Sequence, residues 1–123
     1  MGKCAVFDQN ETYIFASYLI RMRVDAEKAD PHFVAFAING QIGRQQINAL
    51  SRQIIGQANI NSQEIRSLRL PLPELAVQQK LMRNVNQARH NTALLKTEAK
   101  ELLKRADSEI EQMILGLRPV ESI

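Results

Sequence analysis

Side-chain amides crowd residues 39–63: Asn39, Gln41, Gln45, Gln46, Asn48, Gln53, Gln57, Asn59, Asn61 and Gln63. An amide offers a donor and an acceptor together, the pair that adenine presents in the major groove, and arginine matches guanine in the same way. Arg44, Arg52 and Arg66 stand among these amides, and a guanidinium there suits a phosphate. Double-stranded DNA is the ligand this composition fits. The candidate contacts are Arg44, Gln45, Gln46, Arg52, Gln53 and Gln57. The competing reading is a solvated helix and loop, with Asn59 and Asn61 acting as helix caps. Lys80, Arg83 and Arg89 further along face either a partner or only water.

Bond-making chemistry is poorly supplied. His32 follows Pro31, His90 lies far along the chain, and the single Cys4 has no histidine near it in sequence. There is no Gly-rich phosphate loop, no His-Glu-x-x-His and no Asn-Pro-Pro-Tyr methyltransferase motif. Asp25, Glu27 and Asp30 make an acidic patch of the kind a solvated loop carries. The expectation is a non-catalytic protein without metal or cofactor. One cysteine cannot close an internal disulfide, which fits a reducing cytoplasm. The opening MGKCAV has neither the apolar run of a signal peptide nor the Ser or Thr of a myristoylation signal. No run of about 18 apolar residues exists to span a membrane.

Charge is placed unevenly. The 123 residues carry a net charge of only +3. Residues 39–73 hold +3 and residues 74–96 another +3, whereas residues 1–38 hold −1 and residues 97–123 hold −2. The middle of the chain is basic, as a polyanion partner requires. With 45% hydrophobic and 24% charged residues, the composition is that of a folded protein.

These side chains need elements to position them. Residues 3–7 (KCAVF) read as a short strand. In residues 13–25, Ile14, Ala16, Tyr18, Ile20, Met22 and Val24 fall on one face and Arg21 and Arg23 on the other, the period of a strand with one buried side. The two could form an antiparallel hairpin. Asp30-Pro31 starts a helix over residues 31–39, with Asp as cap and Pro at the first turn. Gly40 and Gly43 punctuate, and a second helix over residues 42–51 turns Ile47 and Leu50 inward. Asn61 and Glu64 begin a brief helical turn. Leu70-Pro71-Leu72-Pro73 is extended, as an edge or linker strand.

From Glu74 nothing breaks a helix until Gly116 and Pro119. Leu81, Val85, Ala88, Thr92, Leu95, Ala99, Leu102 and Ala106 alternate steps of four and three, a heptad seam. Ile110, Met113 and Leu117 continue it after a stutter. No second long helix exists in the chain to cover this seam, so the expected partner is another molecule. The basic first half and acidic second half favour antiparallel pairing in a homodimer. The predicted architecture is therefore α+β: a small strand/helix body over residues 1–73, one long C-terminal coiled-coil helix over residues 74–118, and a tail at 119–123.

Asn59-Ile60, Leu68, Leu70-Pro71-Leu72-Pro73 and Gln78 occur in the order that closes a target recognition domain. Phe15-Ala16-Ser17-Tyr18-Leu19-Ile20-Arg21, Asp30-Pro31 and Gly43-Arg44-Gln45-Gln46-Ile47 extend the likeness upstream. The chain thus resembles the specificity (S) subunits of type I restriction–modification systems. It matches the C-terminal half of one recognition domain plus one conserved spacer helix. Glu74 and Val77 depart from the family's usual Pro and Glu. The resemblance implies a non-catalytic subunit that reads a DNA half-site, packs its long helix antiparallel against another, and scaffolds methyltransferase (modification) subunits. The alternative is a truncated dimerisation fragment that forms a coiled-coil homodimer without binding DNA.

Overall fold

The computed structural model describes residues 2–52 and 60–120. Among them stand four helices: α1 Pro31–Asn39, α2 Gln41–Arg52, α3 Ser62–Ser67 and α4 Leu75–Ile114. The chain divides into two compact units, Met1–Arg83 and Asn84–Ile123. Among the described residues no helix is long and apolar enough to cross a membrane.

Local chemistry explains α1 and α3. Asp30 caps α1, its carboxylate accepting from Phe33 N–H at 2.9 Å, and Pro31 needs no donor partner at that position. Gly40 ends α1, its N–H donating to Phe36 O. At the other short helix Asn61 accepts from Gln63 and Glu64 N–H, while Glu64 accepts from Asn61 N–H at 2.7 Å, a complete capping box. The core gathers Ala29, Val34, Ile38 and Ile47, with Cys4, Val24, Ile60, Leu68 and Leu70 packed around it. Ile47 is only 2% exposed. Between α1 and α2, Gly43 lies so near Ile38 that an added Cβ would fall 2.5 Å from Ile38 Cα.

The expected α+β body is corrected by this structure. Among the described residues there is no strand, so residues 3–7, 13–25 and 69–73 do not form a sheet. Alternation shows which side of a strand could be buried. A strand exists only when its main chain is paired with a neighbour. Here the partners are side-chain amides. Asn39 brackets Cys4, accepting from its N–H at 3.0 Å and donating to its carbonyl at 2.6 Å. Gln46 brackets Arg69 in the same way, at 2.9 and 2.8 Å. Residues 13–24 instead turn at Ala16–Leu19, where Leu19 N–H donates to Ala16 O.

The start of α4 is fastened by Gln78, which is fully buried. Its Nε2 donates to Lys28 O at 2.9 Å and Pro73 O at 2.6 Å, and its Oε1 accepts from Asp30 N–H at 2.9 Å. Every side-chain polar group of this glutamine except one lone-pair position is used. In the second unit α4 ends earlier than the sequence pattern suggests. Gly116 takes φ +69°, its N–H donates to Met113 O, and Leu117 N–H donates to Gln112 O. This paired arrangement closes a helix on a left-handed glycine. Leu117 therefore follows the helix instead of continuing its seam.

Candidate nucleic-acid interface

Helix α2 carries most of the amide and arginine candidates. Its sequence, QIGRQQINALSR, contains no carboxylate, so nothing on it repels a phosphate. Burial of Ile47 sets its rotation. Gln41, Gln45 and Asn48 then fall on the exposed side, at spacings of four and three that place them along one stripe. Gln41 and Asn48 stand among the amides of residues 39–63 but outside the six candidate contacts. The signal that finds them is their spacing from Gln45.

The other candidates have different positions. Arg44 is half-buried, and its Nη1 donates to Gly2 O at 3.0 Å. Gln46 is half-buried, and its amide is committed to the Arg69 main chain, with a longer bond to Ile42 O. Arg52 is the last residue of α2. Gln53 and Gln57 lie outside the described residues, as does Asn59. Among the three candidates whose side chains are described, Gln45 is thus the exposed one, while Arg44 and Gln46 hold neighbouring chain in place. Arg66, Arg69, Lys80 and Arg83 add exposed cations in the same unit.

Asp25, Lys28, Asp30 and Cys4 have structural explanations. Asp25 and Lys28 pair at 2.9 Å on the surface; this hydrogen bond holds the carboxyl below its usual range and raises the ammonium. Asp30 is occupied as a cap. Burial pushes the Cys4 thiol up, which disfavours the reactive thiolate. No cluster of three His, Cys, Asp or Glu able to hold a metal occurs among the described residues.

The second candidate surface is the seam of α4. Leu95 and Leu102 are 65% and 63% exposed, and Leu81, Ala88, Ala99, Ala106 and Ile110 are also exposed. Val85 and Met113 are half-buried. A helix of 40 residues, roughly 60 Å long at 1.5 Å per residue, leaves most of this stripe exposed in a single chain. Against known proteins, no family model, no curated protein and no solved structure matches the chain.

Proposed function

We propose that the chain is a non-catalytic DNA-recognition component, of the kind its sequence resembles in type I restriction–modification specificity subunits. It reads a half-site in the cytoplasm and scaffolds methyltransferase subunits. The observation that carries this reading is α2: a carboxylate-free helix with an exposed amide stripe of Gln41, Gln45 and Asn48. Such a stripe fits a major groove, where amides discriminate adenine. The cations at Arg66, Arg69, Lys80 and Arg83 support phosphate contact from the same unit.

A mobility-shift titration on duplex DNA at increasing salt tests it. Binding should weaken steeply with salt, because phosphate contacts release counterions. Gln45→Ala should relax base preference by about 1–3 kcal/mol while leaving non-specific affinity nearly unchanged. Absence of any salt-sensitive binding favours the second reading, a dimerisation fragment that does not engage DNA. That reading draws support from Arg44 and Gln46, whose polar atoms serve internal contacts.

Both readings include an antiparallel homodimer through α4. Its support is the exposed leucine seam and the charge division, +3 over residues 74–96 against −2 over residues 97–123. Antiparallel helices bring unlike ends together. Sedimentation should show a dimer at micromolar concentration, and Leu95→Lys with Leu102→Lys should abolish the helix pairing. A wild-type chain that sediments as a monomer ends this part of the proposal.

A further inference from the structure

Residues 11–23, in the first unit, form a further exposed apolar surface. Ile14 is 99% and Tyr18 75% exposed, and Tyr13, Phe15, Leu19, Ile20 and Met22 are exposed beside them. Among the described residues, the main chain of this segment makes one internal hydrogen bond, at the Ala16–Leu19 turn. Exposed apolar side chains on an unpaired main chain are the ingredients of edge-to-edge association.

The charges of the segment select its partner. Laid antiparallel on a second copy about Ser17, Glu11 faces Arg23 and Tyr13 faces Arg21. Ile14 then faces Ile20, and Ala16 faces Tyr18. Each arginine thus meets a carboxylate or an aromatic face, whereas parallel in-register pairing sets Arg21 and Arg23 against their own copies. One of these arginines already meets a ring within one chain, where the Arg21 guanidinium lies 5.9 Å from the Phe15 ring centre. We propose that residues 11–23 are a self-association segment, pairing antiparallel with residues 11–23 of a second copy. Opening the Ala16–Leu19 turn gives up its one hydrogen bond, and the new main-chain pairs replace it.

The test uses the full chain carrying Leu95→Lys, Leu102→Lys and Cys4→Ser, so neither the helix seam nor the native thiol contributes. Its outcome is therefore independent of the α4 dimer and of DNA binding. Facing residues in an antiparallel pair have Cα atoms about 4.5–5.5 Å apart, within disulfide reach. Ser17→Cys should crosslink two chains under mild oxidation. Thr12→Cys should not, because its counterpart lies about 33 Å away at 3.3 Å per residue. Glu11→Arg should slow the Ser17→Cys crosslink by about two- to fivefold, and adding Arg23→Glu should restore it. Both cysteine positions are exposed, so neither substitution removes a core contact. Equal crosslinking at the two positions, none at Ser17→Cys, or a charge exchange that fails to restore the rate overturns the proposal.

Discussion

Gly43→Ala is expected to destabilise the first unit by about 2 kcal/mol, even though alanine is the better helix former. An alanine inside a helix gains about 1 kcal/mol over glycine. Against that, the new Cβ would sit 2.5 Å from Ile38 Cα and closer still to its carbonyl oxygen. Both are backbone atoms, so no rotamer change relieves the clash, and α1 must move from α2. Overpacking of this kind typically costs about 1–3 kcal/mol, occasionally more, and a rigid backbone neighbour belongs at the upper end. The shift would loosen the packing of Ile38 and Ile47, two of the core's most buried side chains. Urea unfolding followed by circular dichroism should show a lower midpoint with an unchanged slope. A midpoint equal to wild type would mean that the two helices do not approach this closely.

Gln78→Leu should cost about 3 kcal/mol, with an effect that can be located. The leucine fills a similar volume but leaves three main-chain groups without their partner: Lys28 O, Pro73 O and Asp30 N–H. An unsatisfied buried polar group costs about 1–3 kcal/mol, and water can reach part of this set once the site loosens. Gln78→Glu separates loss of donors from loss of acceptors. A carboxylate still accepts from Asp30 N–H, but it places negative charge beside two carbonyls it can no longer donate to. It should therefore be at least as damaging at neutral pH as the leucine. Amide hydrogen exchange gives the local readout: Asp30 N–H should lose protection in the leucine variant and keep more of it in the glutamate one. Unchanged exchange and unchanged stability in both variants would remove Gln78 as the fastening of α4 to residues 28–30.

The role of Gln78 bears on the candidate interface. Asn39, Gln46 and Gln78 are amides of the type that reads bases, and each is spent on main-chain groups of this chain. An amide's paired donor and acceptor match a peptide unit as readily as they match adenine. Composition therefore pointed to a chemistry of amides without saying which of them faces outward. Gln45 and Gln46 are neighbours in sequence, yet one is exposed and the other clasps Arg69. Their difference follows from the burial of Ile47, which fixes how α2 is rotated.

Helix boundaries were readable from residues alone because their causes are local. The Asp30-Pro31 start and the Asn61–Glu64 capping box each rest on hydrogen bonds spanning three residues, whereas the end of α4 at Ile114 falls short of the 118 that the sequence pattern suggests. The long α4 helix and its heptad stripe were readable for the same reason, since helical spacing is a property of consecutive residues. Extended segments have no such local cause. Whether residues 3–7 or 69–73 become strands depends on what lies beside them, and alternation is silent on that. Tertiary structure supplied Asn39 and Gln46 as their neighbours, from 35 and 23 residues away, and supplied Gln78 to Lys28 across 50. A side-chain amide satisfies one peptide unit and stops there, whereas a strand offers the next unit as well, so these clamped segments do not become a sheet.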